Sequence, residues 1–478
     1  MPVDLLAILP ELLLLLVAVL VLVLDPFWKD ADRRVNLGWL TAGGLTVALV
    51  LSLLLGRPGG SALALGGMVR FDWLGFAFKL FFIFGAAITA LFMMDVEMLS
   101  RRAEAYLLLV AATIGMCFMA SASNLVMIYL AIETTSIPLY VLAGFLLNND
   151  KSTEAGFKYL LFGATTSAIL LYGLSLVYGL AGTTSLDQLA PAFTSVNAVS
   201  LGVLALLFVG LGFKVSLVPF HFWAPDTYEG APTPVAGFLS TASKAAGFAI
   251  LLRLLLIAFP QVALQWQWIL AVLAVLTMTL GNLVALAQKN IKRLVAYSSI
   301  AHAGYAMIGL VAYSNLGVTS VVFYLIAYIL TNLAAFGIIA AVGRVTASDE
   351  IDSYRGLSRR SPYLALAMLV AFLSLTGMPP FGGFIAKVLV FAAAVQSGWT
   401  WLAIVGILNS IIGLYYYLTV IKVVYLYRMD GEDEAQHPIA VSRPYVLALA
   451  VLIIGIILVG TIFGPWFGFS QMAAANLF

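Results

Sequence analysis

The chain has 478 residues, of which 63% are hydrophobic and 10% are charged, with a formal net charge of +2. Soluble domains contain about 45–50% apolar and ~25% charged residues, so this composition excludes a water-soluble fold. No basic run is interleaved with aromatic residues, and nothing in the sequence suggests nucleic-acid binding.

Fourteen apolar runs follow one another along the chain, each long enough to cross a hydrocarbon core of about 30 Å, which needs roughly 20 residues. The first lacks a basic flank and a small-residue cleavage site, which favours a retained helix over a signal peptide. The twelfth is long enough to predict a broken or tilted helix. The predicted spans are Leu5–Val23, Leu37–Leu55, Trp73–Met93, Ala105–Ala122, Leu125–Leu147, Leu160–Leu180, Val199–Phe220, Val235–Phe259, Trp268–Ala287, Leu294–Tyr313, Val318–Val342, Tyr363–Val395, Trp401–Tyr425 and Val446–Phe467. We therefore expect an all-α integral membrane protein of about 14 transmembrane helices, with residues 1–478 as one polytopic domain in a lipid bilayer.

Basic residues concentrate in the odd-numbered connections between spans and at their helix ends, which include Lys29, Arg33, Arg34 and Arg293. The even-numbered connections contain only Arg57 and Arg70. Because short cytoplasmic loops are enriched in Lys and Arg, we expect the odd connections to face the cytoplasm. Both termini then lie on the non-cytoplasmic side.

Besides Lys422, which lies near the end of the thirteenth span and is counted with its connection, five basic residues fall within the predicted spans: Lys79, Lys214, Lys244, Arg253 and Lys387. A charge at mid-bilayer costs about 2.5–3.5 kcal/mol on translocon scales, so it needs a partner, water or a purpose. Lys79 and Arg253 are close enough to a span end for their side chains to snorkel. The other three lie deeper and are predicted to be functional.

Glu133 is read as the only carboxylate near the middle of a span, so it is expected to need a cation. A buried lysine loses its charge on desolvation, and a nearby carboxylate restores it. Movement of Glu133 relative to a lysine would therefore switch proton affinity. A fixed buried ion pair that only sets packing is the alternative.

Prolines interrupt two regions that also contain these lysines. Pro219, Pro225, Pro232 and Pro234 surround the junction of spans seven and eight, and Pro379–Pro380 lie inside span twelve. Proline disrupts a helix, and freed backbone groups at membrane depth are tolerated only where protein or a water-filled cavity satisfies them. The pattern predicts broken helices near spans seven and twelve beside a hydrated ion path.

Ionisable residues also recur at a nearly constant offset: His302 follows Glu133 by 169 residues and Lys387 follows Lys214 by 173. An offset of five helices reverses direction across the membrane, as in inverted-repeat transporters. Lys244 shifted by the same amount falls among Tyr415–Tyr417. We predict one repeat in spans 4–8, residues 105–259, a second in spans 9–13, residues 268–425, and a C-terminal helix at 446–467.

Redox chemistry within the chain is limited by a single cysteine, Cys117, and three histidines, His221, His302 and His437. An iron–sulfur cluster needs about four thiolates and a disulfide needs two. A haem held between His221 and His302 is an alternative, although most membrane histidines are core or relay residues. We expect no cofactor and no metal in this chain.

Several segments resemble one known family. The segments IETTSIPLY, KVSLVPFHFWAPDTYEGAPTPV, QKNIKRLVAYSSIAHAGY, LTGMPPFGGFIAK and LYYYLTVIKVVY look like the antiporter-like membrane subunits of respiratory complex I. The likeness runs from the first span to the last and is closest to the subunit N family. In the related subunit M a glutamate occupies the position of Lys387, and subunit L carries a long lateral helix after span fourteen.

The resemblance implies roles, partners and a location. It assigns Glu133 and Lys214 to a coupling pair, Lys244 to the central relay, Lys387 to the second half-channel, and His221 and His302 to possible relay or packing positions. It implies NADH:quinone oxidoreductase as the parent enzyme, with this chain as a non-redox translocase in the bacterial inner membrane. NADH, FMN, iron–sulfur clusters and quinone are expected on partner subunits, which are other complex I membrane subunits and the peripheral redox arm.

Three alternatives remain at this point. A subunit of a multisubunit cation/proton antiporter would share the fold and move sodium without a redox complex. A relative of subunit N in ferredoxin- or plastoquinone-linked machines, or a membrane scaffold with vestigial charges, would also fit. Co-purification with flavin- and iron–sulfur-bearing partners would distinguish a complex I subunit from these alternatives.

Overall fold

In a computed structural model, which describes residues 3–28, 31–194, 197–428, 439–475 and 477, the chain is almost entirely helical. The elements are α1 (Val3–Ala7), α2 (Leu9–Leu24), α3 (Ala31–Leu55), β1 (Ala62–Ala64), β2 (Val69–Phe71), α4 (Trp73–Met93), α5 (Glu97–Ser100), α6 (Ala103–Ser121), α7 (Leu125–Ala143), α8 (Asp150–Ala181), α9 (Ala198–Val215), α10 (Trp223–Gly230), α11 (Thr233–Phe238), α12 (Lys244–Arg253), α13 (Ala263–Leu286), α14 (Ile291–Val311), α15 (Asn315–Thr346), α16 (Leu357–Arg360), α17 (Pro362–Thr376), α18 (Gly382–Gln396), α19 (Thr400–Leu426), α20 (Arg443–Thr461) and α21 (Phe463–Ala474). His437, one of the three histidines, lies outside the described residues.

The predicted number of crossings is confirmed. Thirteen helical stretches in the described part of the chain are long and apolar enough to span a membrane. The predicted twelfth span is two shorter apolar helices, α17 and α18. Counted as one broken span, α17 and α18 bring the thirteen long stretches to fourteen crossings. The predicted break in span twelve is confirmed.

Several boundaries differ from the prediction. The sixth span begins at Asp150, ten residues before the expected Leu160, because Asn149 caps α8 by accepting from the backbone N–H groups of Lys151 and Ser152. The last span ends at Thr461, and a separate helix, α21, follows it. The sequence analysis also missed the antiparallel β1–β2 hairpin, which pairs Ala62 with Phe71.

Prolines mark two breaks between helices, although Pro138 lies inside α7. Helix α9 ends at Val215, followed by Ser216 in the left-handed region with φ of 59°, so Pro219 falls in the connection to α10. Pro379 and Pro380 lie between α17 and α18. Both breaks therefore expose helix-terminal carbonyl groups, which need other partners.

The helices form an enclosed centre and a lipid-facing periphery. In the stretches that contain α4, α11–α12, α14 and α15, about nine-tenths of the residues are buried (89%, 94%, 94% and 89%). In those of α2, α8, α19 and α20 only 33% are buried. Lys244 and His302 lie on central helices. Ionisable residues there are shielded from lipid by the surrounding ring.

Contacts between connections confirm the alternating direction of the helices. Arg344 in connection eleven pairs with Asp95 in connection three, and Lys292 in connection nine pairs with Asp349 in connection eleven. Lys151 in connection five pairs with Glu229 in connection seven. These five connections therefore lie at one end of the protein. At the other end Arg70, in the second connection, pairs with Asp187 in the sixth. We call these the odd face and the even face.

Candidate functional site

Among the residues that the structure describes, Glu133 has a hydroxyl partner and no ion pair. Its carboxylate accepts a hydrogen bond from the hydroxyl of Ser167 on α8. Lys214, at the end of α9 and only 3% exposed, donates from Nζ to Ser136 Oγ at 2.9 Å. Ser136 lies three residues after Glu133 on α7, which places it on the same helix face. The glutamate and lysine are therefore neighbours without direct contact.

Lys244 is the central lysine of the site. It is 2% exposed, begins α12 directly after the π-helical segment Leu239–Ser243, and donates from Nζ to Ser299 Oγ on α14 at 2.6 Å. Its ammonium also lies 5.8 Å from the ring centre of Tyr228. A π-helical turn inside an α-helix is frequent at functional sites. A Cβ on Gly247, one turn later, would lie 3.3 Å from Lys214 Cγ, so Lys214 packs beside this helix.

His302, on α14, forms hydrogen-bonded contacts with other polar side chains. We call Ser298, His302, Tyr324 and Tyr417 the polar line. The Nδ1 atom of His302 is 2.6 Å from Tyr324 Oη and its Nε2 is 3.3 Å from Tyr417 Oη. Tyr417 also forms a hydrogen bond with Ser298, which precedes the Ser299 that binds Lys244. Ser298, Tyr417 and His302 are thus linked by hydrogen bonds, and each of these groups can donate and accept a proton.

Lys387 lies on α18 beyond the break. Its Nζ donates to the backbone oxygen of Thr376 at 2.7 Å and to Ser410 Oγ at 2.8 Å, and it lies 4.9 Å from the centre of the Tyr305 ring. Thr376 is the last residue of α17, so the ammonium occupies the negative end of a helix dipole. The broken helix therefore creates the binding site for this lysine.

Glycine makes this close approach possible. Gly377 has φ of 88°, and a Cβ there would lie 2.8 Å from Lys387 Cδ. A cavity of about 10 Å³ is lined by His302, by Ser374 on α17 and by Ala386, which precedes Lys387 on α18. That volume is about the lower limit for one water molecule. A single water there would extend the polar line from His302 towards α18.

The structure thus brings Glu133, Lys214, Lys244, His302 and Lys387 into one series along the protein centre. His221 is also buried, at 3% exposed, but lies in the α9–α10 connection with Nδ1 lacking a hydrogen-bond partner. Sequence reasoning missed the hydroxyl partners. One feature of the sequence pointed to such a partner. The repeat offset aligns Lys244 with Tyr415–Tyr417, and Tyr417 is part of the polar line.

The expectation that Lys79 and Arg253 snorkel is wrong. Arg253 is 1% exposed and forms a bidentate pair with Asp72, with distances of 2.8 and 2.6 Å. Lys79 is 4% exposed and lies 2.7 Å from Oε1 of Glu11. Glu11 lies in the first turn of α2, close to the start of the first span. Folding carries both basic residues inward against carboxylates of neighbouring segments.

A charged network on the odd face positions α10. Asp226 bonds Lys158 and Arg293 at 2.7 and 2.8 Å, and Glu229 bonds Lys151 and Arg293 at 2.8 and 2.9 Å. We call these five residues the α10 latch. Burial alone would raise the pKa of both carboxyl groups, but the hydrogen bonds from these cations outweigh it and hold each pKa below its ordinary value.

Comparison with known proteins places this arrangement in a family. The model of the NADH:quinone oxidoreductase/Mrp antiporter transmembrane family matches residues 122–413. The chain belongs to this family. The matched region contains Glu133, Lys214, Lys244, His302 and Lys387, whereas α1–α4 precede it.

Relatives and solved structures cover nearly the whole chain. The NADH-quinone oxidoreductase subunit N of Heliobacterium modesticaldum is 46% identical over 79% of this chain and 79% of the relative. The subunit N of Moorella thermoacetica is 44% identical over 94% of each. A chain of respiratory complex I from Thermus thermophilus with bound aureothin is 36% identical, with a TM-score of 0.81 over 96% of this chain and 98% of that one.

The described part of the chain contains no group of three or more His, Cys, Asp or Glu side chains placed to hold a metal ion. Both ring nitrogens of His302 are engaged by tyrosine hydroxyls. The chemistry that this site supports is proton transfer among lysine, hydroxyl and imidazole groups.

Proposed function

We propose that this chain is the proton-translocating membrane subunit N of an NADH:quinone oxidoreductase. The observation that supports this most is the bonding of its three buried lysines: Lys214 to Ser136, Lys244 to Ser299, and Lys387 to Ser410 and a backbone carbonyl. Each partner is neutral. A hydroxyl can accept from an ammonium group and donate to an amine, so the lysine–serine hydrogen bond survives loss of the proton.

In this proposal protons pass along the series from Lys214 through Lys244, Ser299, Tyr417 and His302 to Lys387. Each transfer breaks one N–H or O–H bond and forms another, with no net oxidation. The chain itself supplies no redox chemistry. NADH, FMN, iron–sulfur clusters and quinone are assigned to partner subunits, namely the peripheral redox arm and the other membrane subunits.

Glu133 acts as the coupling group in this scheme. While Lys214 is bound to Ser136, the glutamate is held by Ser167. A small shift of α7 or α9 would exchange these two serine contacts for a direct Glu133–Lys214 ion pair. Formation of that pair would favour the charged lysine, and its separation would favour release of the proton.

We also propose the orientation and the internal repeats that the sequence predicts. The odd face, which carries most of the basic residues, is assigned to the cytoplasm of a bacterial cell, with the termini on the opposite side. Residues 105–259 and 268–425 are assigned to the two inverted repeats. The lysine-bearing breaks after α9 and between α17 and α18 support this division.

The experiment uses the assembled complex in proteoliposomes. Glu133→Ala and Lys214→Ala are expected to lower proton translocation and coupled quinone reduction while the complex still assembles. Glu133→Asp should be milder because it keeps the charge. Asp352→Ala, at a 73%-exposed carboxylate, is the control. Wild-type pumping in both alanine variants would refute the proposed role of the pair.

A cation/proton antiporter subunit is the second candidate, because the matching family description covers both complex types. Purification discriminates between them. The proposed function predicts flavin- and iron–sulfur-bearing partners and NADH-driven pumping. Purification with other transporter subunits only, together with sodium transport, would favour the second candidate.

A further inference from the structure

Two buried ion pairs lie in the N-terminal helices, outside the lysine series described above. One joins Asp72, at the start of α4, to Arg253 on α12, and the other joins Glu11 on α2 to Lys79 on α4. All four side chains are at most 5% exposed. The two pairs lie two helical turns apart on α4, yet they differ in chemistry.

The Asp72–Arg253 pair is fully bonded. Both carboxylate oxygens accept from the guanidinium, Oδ1 also accepts from the backbone N–H of Gly75 at 2.8 Å, and Arg253 Nε donates to the Ala120 oxygen at 2.6 Å. Arginine stays charged at any physiological pH. This pair is therefore a permanent structural link between α4, α6 and α12.

The Glu11–Lys79 pair is incompletely bonded. Lys79 Nζ donates to the Ala7 oxygen at 2.7 Å and lies 2.7 Å from Glu11 Oε1. Within the described residues neither carboxylate oxygen of Glu11 has a hydrogen-bond partner. A buried carboxylate with so few partners is costly. Lysine, unlike arginine, can also release its proton.

A polar route leads from this pair to the even face. Lys79, Asp72 and Arg70 line a cavity of about 10 Å³, about the lower limit for one water molecule, which needs two or more polar partners. Arg70 in turn reaches Ser123 and Asp187, whose side chain is 40% exposed. The cavity thus adjoins the pair on one side and a surface-linked arginine on the other.

We propose that Glu11 and Lys79 form a second protonatable site, which exchanges protons with the even face through the cavity beside Arg70 and Asp72. Lys79 passes one N–H proton to a Glu11 oxygen, which forms an O–H bond, and the resulting amine then takes a proton from a hydronium ion in the cavity, which breaks one O–H bond and forms the new N–H bond. Release reverses the step. This inference rests on the proposed function, for which the site provides an additional path for exchange.

Other titratable or charged groups near the pair are few within the described residues. The thiol of Cys117, on α6, interacts with both charges. Arg70 and Asp72 line the cavity. On α1, Asp4 accepts a hydrogen bond from the backbone of Leu65, and Arg253 is held by Asp72. A pH-dependent signal from the carboxylate region can therefore be assigned to Glu11 by its own substitution.

The first test replaces the Glu11–Lys79 pair with uncharged side chains in the intact complex and compares it with a control ion pair treated in the same way. A buried pair with only a structural role can often be replaced by apolar residues at little cost. Glu11→Leu combined with Lys79→Met is expected to assemble but to lower the proton-to-electron ratio at least twofold. The control applies the same kind of replacement to an ion pair on the odd face, away from the cavity: Asp95→Asn with Arg344→Met should assemble with an unchanged ratio. A wild-type ratio in the Glu11/Lys79 variant would overturn the inference.

The second test does not depend on pumping and decides the matter if a double variant fails to assemble. Infrared difference spectra of the complex between pH 6 and pH 9 are compared for the wild type and Glu11→Gln. Loss of a carboxylic-acid band in Glu11→Gln supports the site, and identical spectra overturn it. If pumping is reduced in Lys214→Ala but normal in the Glu11/Lys79 double variant, the Glu11–Lys79 proposal is refuted and the proposed function is unaffected. Normal pumping in Lys214→Ala would instead remove the proposed function, while the infrared result stands.

Discussion

Lys387→Arg separates a proton carrier from a permanent countercharge. The lysine is 7% exposed and its ammonium is held by the Thr376 oxygen and Ser410 Oγ at 2.7 and 2.8 Å. A guanidinium can donate to both acceptors and keeps the positive charge at the end of α17. With an ordinary pKa above about 12, however, fewer than one arginine in about 10⁵ is neutral at pH 7. The substitution preserves charge and removes proton release.

The expected result is a proton-to-electron ratio below half of the wild-type value in both Lys387→Arg and Lys387→Ala. A purely electrostatic role predicts instead that Lys387→Arg is near normal and only Lys387→Ala is impaired. Lys387→Ala also removes the ammonium donor from both oxygens and leaves the Thr376 oxygen with only the 3.3 Å hydrogen bond from Ser410 Oγ. Its stability must therefore be measured separately.

The assay follows NADH-driven quinone reduction and acidification in vesicles that contain the purified complex, after subunit content and thermal stability have been checked. Lys387→Met controls for side-chain length without a charge. An intact complex with wild-type proton translocation in Lys387→Arg would remove Lys387 from the pathway.

Three further substitutions test the surroundings. Gly377→Ala should lower pumping because a Cβ there would lie 2.8 Å from Lys387 Cδ. The control Gly398→Ala, with a similar φ of 82° but open space around it, should lower stability only. Equal pumping in the two variants would contradict this prediction. Tyr417→Phe should reduce the proton-to-electron ratio by removing the hydroxyl between Ser298 and His302, while Tyr445→Phe, which loses a bond to the Gly337 oxygen, should not. Arg293→Gln should destabilise the complex by about 1 kcal/mol above pH 5, because two partly exposed ion pairs are lost. The carboxyl groups of Asp226 and Glu229 have lowered pKa values when folded, so their stabilisation is present above about pH 4, the ordinary value, and is lost as pH falls through the folded values. The variant should therefore show a smaller loss of melting temperature on acidification than the wild type, and an equal loss would be evidence against the latch.

Hydropathy was sufficient to predict the fourteen crossings, since the cost of exposing polar backbone to lipid leaves few alternatives. Proline pairs were sufficient to predict the break in the twelfth span. The sequence could not predict that Ser136, Ser299 and Ser410 bind the lysines, because serine is common in membrane helices and its partner depends on which faces pack together. For the same reason Lys79 and Arg253 were assigned to snorkelling, although folding places each beside a carboxylate distant in the chain.

The partners of Arg253 and of the three lysines in the series indicate how the protein divides structural from transport roles; Lys79, whose partner Glu11 lacks other donors, falls outside this division. Arg253, which cannot release a proton under physiological conditions, is matched to a carboxylate in a bidentate pair. Lys214, Lys244 and Lys387 are matched to hydroxyl or carbonyl oxygens. If the lysines were permanent countercharges, carboxylate partners would be expected, because a neutral acceptor compensates less of the cost of a buried charge. A serine partner stabilises the ammonium less than a carboxylate would, but it leaves no unpaired anion when the proton departs. Such bonding suits a group that changes charge during each cycle.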